Sequence, residues 1–437
     1  MYHSSKLKNG ITLVTIPVPG TKATTILAMF PVGSRYETGK LSGASHFVEH
    51  MLFKGTERRP TAQDISRTIE AYGADYNAFT NKDYTGYYIK INGDDQEVAW
   101  DLLSDMIYHS KIETVEVDKE KGAIVEELRM YKDNPLMAID QLFEEVAFGD
   151  CPLGWDIGGT EQTVRALSRE ELWQYYQRHY SPRNMVLVVA GNIQPRRMKK
   201  LLRYFTDQAA PKGAENFGFY QRGFSKFTWP KARLSLARRL VVHEKKLDQA
   251  QVILGFPGIP NNNPDRFAAS LLLNILGVGM SSRLFVEVRE RRGLAYMVHA
   301  GSTSYRDAGL VYAQAGLDPA RLAQALAVIQ TEIMRMATEP VMAEELQNAK
   351  TSIAGSLALK MENSSAQAQW YARQFIFSPR IETPEWVVAQ LKKVTVAQVQ
   401  TIARRLFSPA AARLAVIGPL TKAHVLAAVK STTTFSV

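Results

Sequence analysis

Apolar residues recur along most of the chain with the period of an amphipathic helix, and shorter segments alternate with the period of a strand. The helical pattern runs through residues 61–72, 95–109, 115–132, 169–179, 321–338 and 343–361. Strand patterns are interleaved with these helices at residues 74–80, 85–91, 185–190 and 232–243. This mixture predicts the α+β class, in which a mixed, mainly antiparallel sheet is covered by helices.

Two halves of the chain repeat one pattern. The first half contains TTILAMFPVGSRYE and then GASHFVEHMLFKGT, and the second contains QAQVILGFPGIPNN and then FAASLLLNILGVGMSS. Each pair reads as an apolar strand, a Phe-Pro turn, a polar loop and a helix, and repetition at this long period predicts duplicated domains. We place an N-terminal domain at 1–209, an aperiodic linker at 210–233 and a C-terminal domain at 234–437.

Composition limits the possible domain number, cellular location and partners. A chain of 437 residues, 46% hydrophobic, is too long for one ordinary core, which agrees with two domains. Its apolar stretches are shorter than the roughly 20 residues of a membrane-spanning helix, so no membrane segment is expected. The single cysteine predicts a cytoplasmic protein without internal disulfides. The net charge of +10 is dispersed in short clusters, so no nucleic-acid partner is expected.

The clearest chemical motif is His46-Phe47-Val48-Glu49-His50. On a helix, residues four apart share one face, so His46 and His50 can hold one ion, and zinc favours imidazole nitrogens. Glu49 lies one turn from His46, where it can take a proton from activated water instead of binding metal. This order is the inverted form of the zinc-peptidase helix. The alternative is two ordinary histidines on an amphipathic helix.

A third zinc ligand is expected in the Glu-rich helical segment 115–132. Glu120 precedes Glu127 by two helical turns, so the two carboxylates face the same way. One can bind the metal, while the other accepts a hydrogen bond from a metal ligand and orients it without touching the metal. Glu126 points about 100° away and is expected to be solvated. By itself, this segment is more typical of an ordinary charged surface helix.

These motifs together resemble the inverzincin metallopeptidases, the family of pitrilysin, insulin-degrading enzyme and mitochondrial processing peptidase, and most of all its short bacterial members. The resemblance covers nearly the whole chain and rests on GASHFVEHMLFKGT, EKGAIVEELRMYKDNP, CPLGWDIGGTEQTVRALSREELWQYYQRHYSPRNMVLVVAGNI and GVGMSSRLFVEVRERRGLAY. It implies one Zn²⁺ per chain, bound by His46, His50 and Glu127. Glu120 would support these ligands without binding the metal itself. It further implies a zinc-dependent endopeptidase of peptides or unfolded segments, with Glu49 as general base.

The resemblance also implies substrate contacts outside the metal helix. Arg289 and Tyr296 would hold the substrate and stabilise the charge that develops on its carbonyl. The strand DYNAFT would be a sheet edge that pairs with an extended substrate, through the backbone of Asn77 and Ala78 and a pocket wall at Phe79. The alternatives are a surface role for Arg289, a core role for Tyr296 and an interior position for the strand.

The family's architecture implies the partner. Two chains of this length close around a chamber whose metal site and Arg/Tyr pair come from opposite halves. Because this chain carries both sets, we expect a homodimer with sites completed in trans; a heterodimer with a paralogue is the alternative. Two other functions stay open: a processing peptidase for one class of precursor, and a non-catalytic scaffold, a role in which the metal residues are typically lost.

Overall fold

A computed structural model describes residues 2–210, 213–219, 226–230 and 235–430. Of the predicted linker, residues 211–212, 220–225 and 231–233 lie outside the described residues. Contacts divide the chain into two compact units. Unit 1 contains Met1–Arg129, Asp156–Phe224 and Ala358–Glu382, and unit 2 contains Met130–Trp155, Ser225–Leu357 and Thr383–Val437. These units group residues by spatial contact, whereas the predicted domain boundaries follow chain order and stay a prediction.

Each unit contains one β-sheet. The strands are β1 (His3–Lys6), β2 (Thr12–Pro17), β3 (Ala23–Phe30), β4 (Asp75–Thr80), β5 (Thr85–Asn92), β6 (Val186–Gly191), β7 (Leu240–Glu244), β8 (Ala250–Pro257), β9 (Ala295–Ser304), β10 (Gly309–Leu317) and β11 (Arg413–Gly418). Among the described residues, the strand order is β1-β2-β6-β3-β5-β4 in unit 1 and β7-β11-β8-β10-β9 in unit 2. The pairs β2–β6 and β7–β11 are parallel and the other pairs are antiparallel. The predicted mixed, mainly antiparallel sheets are therefore confirmed.

The two sheets repeat one topology. When β1 is set aside, the order β2-β6-β3-β5-β4 of unit 1 becomes β7-β11-β8-β10-β9 of unit 2 by adding five to each strand number. The parallel pair occupies the same place in both sheets. The sequence repeat thus has a structural counterpart in strand order and direction.

Helices cover the sheets. They are α1 (Ala44–Met51), α2 (Ala62–Glu70), α3 (Gln96–His109), α4 (Thr114–Asp133), α5 (Pro135–Phe148), α6 (Glu161–Ala166), α7 (Arg169–His179), α8 (Pro195–Leu201), α9 (Arg203–Thr206), α10 (Arg266–Gly277), α11 (Leu322–Thr338), α12 (Ala343–Met361), α13 (Ser364–Phe377), α14 (Pro384–Lys393), α15 (Val396–Leu406) and α16 (Lys422–Lys430). Local capping explains why the sequence predicts these ends closely: Thr61 with Asp64, and Ser168 with Glu171, form capping boxes at the starts of α2 and α7. None of the described helices combines the length and apolarity needed to cross a membrane.

One predicted strand, 232–243, is confirmed from Leu240 onward and is wrong at residues 235–239. Residues 232–234 lie outside the described residues, and Leu236–Arg238 forms a 3₁₀ turn. The turn is closed locally, since the N–H of Arg239 donates to the carbonyl of Leu236 at 3.0 Å. Pairing with β11 begins only at Leu240, opposite Leu414. The described part of this segment is therefore a turn that leads into a short strand.

The sheet of unit 1 is covered on both faces. Side chains of β3 alternate between the faces, so Ile26 and Phe30 belong to the core cluster beneath α1, α3 and α7. Leu27 and Met29 point to the opposite face and pack with α13. The hydroxyls of Thr25 and Ser364 also lie within 2.8 Å of each other. Helix α13, from late in the chain, thus completes the unit that carries the candidate metal motif.

Unit 2 has a helix at the corresponding place in the sequence repeat, without the two histidines and the glutamate of the motif. The sequence repeat aligns Leu271, Asn274 and Ile275 of α10 with His46, Glu49 and His50 of α1. Leu271 and Ile275 are buried in the main apolar cluster of unit 2. The second unit therefore uses this helix for packing.

Candidate metal centre

The metal motif lies on α1, a short helix whose start is fixed by surrounding backbone. Gly43 precedes the helix with φ of 96°, a conformation that favours glycine. A Cβ at this position would lie 2.7 Å from the carbonyl oxygen of Gly158, so the close approach also requires glycine. Both constraints set where the first turn, and with it His46, begins.

Two histidines of α1 and one carboxylate of α4 converge. The Nε2 atoms of His46 and His50 are 3.2 Å apart. Oε2 of Glu127 lies 3.6 Å from Nε2 of His46 and 3.4 Å from Nε2 of His50. Each of the three residues offers a ligand atom, and these atoms all lie within 4.8 Å of one another. The sequence prediction named these same three residues as the metal ligands.

The three donor atoms fit a zinc ion. Zinc binds imidazole nitrogen and carboxylate oxygen at about 2.0–2.2 Å in a tetrahedron, which places two donors about 3.3–3.6 Å apart. The separations of 3.2, 3.4 and 3.6 Å lie within about 0.1 Å of that spacing. Two nitrogens and one oxygen also form the donor set of a catalytic zinc site with a fourth position open.

A second carboxylate holds one of the histidines. Nδ1 of His50 lies 2.8 Å from Oε1 of Glu120, and Nζ of Lys54 lies 2.6 Å from Oε2 of the same carboxylate. Burial acts to raise the pKa of Glu120, but the hydrogen bonds from His50 and Lys54 lower it below its ordinary value. An ionised Glu120 accepts the Nδ1 proton of His50, so Nε2 is the ring nitrogen that can bind a metal once it has lost its own proton.

The two histidines differ in electrostatics. Burial lowers the pKa of His46 to about 4, and the neighbouring His50 acts in the same direction. Burial also acts to lower the pKa of His50, but hydrogen bonds to Glu120 and Glu127 raise it to about 9. Nδ1 of His46 is buried and has no hydrogen-bond partner among the described residues. Glu120 therefore fixes the orientation of the His50 ring through Nδ1, whereas none of the described residues does so for Nδ1 of His46.

The expected general base faces the strand that ends beside α1. The hydroxyl of Thr80, the last residue of β4, donates to Oε2 of Glu49. Burial raises the pKa of Glu49 above its ordinary value, although the bond from Thr80 acts in the opposite direction. A raised pKa brings a carboxylate closer to the range in which it can both accept and return a proton.

Glu126 stands apart from this cluster. Its side chain is 70% exposed and its Oε1 lies 2.7 Å from Nη1 of Arg129. The placement matches the expectation that Glu126 is solvated. The structure therefore offers Glu127, not Glu126, to the two histidines.

Strand β4 forms the edge of the sheet of unit 1 among the described residues, as the family resemblance implies and not as an interior strand. The N–H of Ala78 donates to Oδ1 of Asn77 at 2.8 Å. The half-buried ring of Phe79 lies over Gly86, where a Cβ would collide with it, and packs edge-on against Tyr84 at 6.0 Å. Substrate roles for Asn77, Ala78 and Phe79 stay a prediction.

The two expected substrate residues of unit 2 are neighbours. Arg289 lies near the end of a π-helical segment, Phe285–Glu290, and its guanidinium lies 4.8 Å from the ring centre of Tyr296 on β9. The guanidinium also lies 4.7 Å from the ring of Phe285. Tyr296 is 77% exposed, so it is not a core residue. Its phenol is open to a ligand, and Arg289 stacks on its face.

Sequence reasoning did not identify three polar contacts of this centre. Lys54 could have been noticed, since it follows His50 by four residues and a helical path would bring it to the same side. Thr80 and Glu37 act on α1 from other segments, and no local pattern signals such contacts. Glu37 accepts hydrogen bonds from the backbone of Gly43 and Ser45.

Removal of Glu120 should weaken metal binding without removing a ligand. Glu120→Ala leaves His50 without the acceptor that fixes its ring, and we expect zinc affinity to fall about 10–100-fold. Competition with a fluorescent zinc chelator would measure the change. Glu116→Ala is the control on the same helix, because Glu116 pairs with Lys119 instead. Equal affinities for Glu120→Ala and the unaltered protein would contradict the role of Glu120.

Known proteins match the chain along most of its length. A family model described as insulinase (peptidase family M16) matches residues 12–161, and one described as peptidase M16 inactive domain matches residues 166–353. A protein of Streptomyces coelicolor described as an uncharacterized zinc protease is 35% identical over 415 residues, covering 95% of this chain and 89% of the relative. YmxG of Bacillus subtilis, described in the same words, is 33% identical over 412 residues, covering 94% and 97%. The crystal structure of a protease from Helicobacter pylori has a TM-score of 0.87 at 20% identity, covering 96% and 99%, and shows a shared fold.

Proposed function

The chain belongs to peptidase family M16, and from this premise we propose that it is a zinc-dependent endopeptidase that cleaves peptides or unfolded segments. One Zn²⁺ per chain would be held by His46, His50 and Glu127. The observation that carries the proposal is the convergence of these three donors at tetrahedral spacing, with Glu49 on the same helix. Relatives described as zinc proteases support the same conclusion.

The residues around the centre suggest how peptide hydrolysis proceeds. Zinc, when bound, would polarise the scissile carbonyl and activate water near neutral pH. Glu49 takes the proton of that water and later passes it to the leaving amine. The hydroxyl of Thr80 holds the Glu49 carboxylate in one orientation during both transfers.

Substrate binding would use the sheet edge at β4 and the exposed phenol of Tyr296. An extended peptide adds to β4 by backbone hydrogen bonds, which suits unfolded substrates with little sequence preference. To use the N–H of Ala78, the peptide must displace the side chain of Asn77 from it. Tyr296 donates a hydrogen bond to the carbonyl oxygen as charge develops there, and Arg289 supports it.

Metal removal tests the proposed function. The purified protein should cleave quenched fluorescent peptides, lose that activity when a chelator removes its metal, and regain it when stoichiometric Zn²⁺ is restored. Added Mg²⁺ is the control, because it prefers oxygen donors and six ligands. Absence of cleavage across a broad peptide mixture, while zinc is bound, would favour the scaffold alternative. A single narrow cleavage preference in that mixture would favour the processing alternative.

The homodimer proposal has its own test, in mixtures of two inactive variants. Glu49→Gln and Tyr296→Phe should each be nearly inactive. If each site takes Glu49 from one chain and Tyr296 from the other, a re-equilibrated equal mixture contains one intact site in each mixed dimer, about a quarter of all sites. We therefore expect about a quarter of normal activity, measured against each variant alone. No recovery would place both residues of a site in one chain. A partner paralogue and the cytoplasmic location stay predictions.

A further inference from the structure

Helix α1 begins without a side-chain cap of its own. The first N–H groups of a helix have no partner within the helix, and the residue before α1 is Gly43, which has no side chain to accept from them. The carboxylate of Glu37 supplies both acceptors. Its Oε2 accepts from the N–H of Gly43 at 2.8 Å, and its Oε1 accepts from the N–H of Ser45 at 2.7 Å. Glu37 is only 5% exposed, so both bonds are shielded from water.

The turn that Glu37 holds is the one that carries His46. Ser45 directly precedes His46, and its N–H is one of the two donors. The ring of His50 is oriented by Glu120, but Nδ1 of His46 has no hydrogen-bond partner among the described residues. The direction of the His46 ring therefore depends on the backbone of its own turn and on the packing around it.

We propose that Glu37 is a positioning residue for His46, and that its clamp on the first turn of α1 preorganises the zinc site. The inference rests on the proposed function, since it requires His46 to be a zinc ligand. Without the clamp, two buried N–H groups lose their acceptor and the first turn can fray. Fraying moves Nε2 of His46 away from Nε2 of His50, which lies 3.2 Å from it, and the donor spacing that suits zinc is lost. A carboxylate at this end of the helix also complements the helix dipole.

Two other contacts hold the same turn, but neither replaces Glu37. The hydroxyls of Ser45 and Tyr175 lie 2.7 Å apart, and Gly43 packs closely on the backbone of Gly158. Neither contact accepts a hydrogen bond from the backbone N–H groups. Burial raises the pKa of Glu37 to about 7, while the bonds from Ser45 and Gly43 act to lower it. Experiments on the clamp are therefore best made at pH 8, where the carboxylate is largely ionised.

Glu37→Gln tests the inference, because the amide keeps the shape of the side chain but turns one acceptor into a donor. We expect zinc affinity to fall about 10–100-fold in chelator competition. The visible spectrum of the Co²⁺-loaded protein, which reports ligand geometry, should change as well. Asp64→Asn is the control, since Asp64 caps α2 in the same unit and α2 carries none of the metal residues. That variant should alter thermal stability at most and leave zinc affinity and the cobalt spectrum unchanged.

Glu37→Asp provides a second test if Glu37→Gln does not fold, as judged by the loss of a cooperative unfolding transition. The shorter carboxylate retains its charge but cannot reach both N–H groups. The zinc affinity of Glu37→Asp should therefore lie between that of the unaltered protein and that of Glu37→Gln. A folded Glu37 variant with unaltered zinc affinity and cobalt spectrum would overturn the inference while leaving the zinc site intact. Failure of the unaltered protein to bind Zn²⁺ or Co²⁺ would instead overturn the proposed function, and the inference with it.

Discussion

Glu49→Gln should leave a folded protein that binds Zn²⁺ but cleaves peptides about 10²–10⁴-fold more slowly. Glutamine has the shape of glutamate, and its carbonyl oxygen can still accept the hydrogen bond from Thr80. It cannot accept a proton from water, so the loss should appear in kcat. Cleavage of a quenched fluorescent peptide measures the rate, and chelator competition measures zinc affinity.

Glu70→Gln is the matched control, because it makes the same change at an exposed position of α2. It should leave both the rate and zinc affinity unchanged. If Glu49→Gln retained normal kcat, Glu49 could not be the general base. If it lost zinc together with kcat, Glu49 would instead belong among the ligands.

Glu127→Gln should lose zinc, and Glu126→Gln should not. Glu127 lies 3.4 and 3.6 Å from the two histidine nitrogens, so a neutral amide there removes an anionic ligand. We expect the loss of affinity to exceed the ~10–100-fold that removal of an outer partner causes. Glu126 is exposed and pairs with Arg129, so the same change there should be mild.

Metal content after dialysis and chelator competition would compare the two variants. They are matched in chemistry and differ by one position, so helix propensity and net charge change equally. The reverse result, with zinc lost in Glu126→Gln and kept in Glu127→Gln, would assign the ligand to Glu126. It would also mean that α4 is rotated relative to its position in the structure.

Local periodicity made much of the fold and the candidate site predictable. The spacing in His46–His50 and the two turns between Glu120 and Glu127 lie within single helices, where the 3.6-residue period fixes which side chains share a face. The structure accordingly has Glu127 beside both histidines and Glu120 behind one of them. The family resemblance, built on the longer motifs, is confirmed by relatives that match nearly the whole chain.

Contacts between distant segments were not predictable in this way. The bonds from Thr80 to Glu49 and from the first turn of α1 to Glu37 depend on how a strand and a loop pack on a helix. The amphipathic pattern of residues 364–377 does not reveal which sheet the helix will cover. Likewise, residues 235–239 fall within the predicted strand but contain a turn at Leu236–Arg238, in which a backbone hydrogen bond within the turn takes the place of pairing with a neighbouring strand.

The position of α13 has a consequence for synthesis on the ribosome. One face of the β3 and β6 strands, with Leu27, Met29 and Val188, is covered by a helix that ends at Phe377. At about 5–20 residues per second, that helix leaves the ribosome on the order of ten seconds or more after the last strand of its sheet. During this interval an apolar sheet surface is exposed in the nascent chain. Most of the unit with the metal motif is therefore translated before α13, but the unit can finish folding only after that helix has been made.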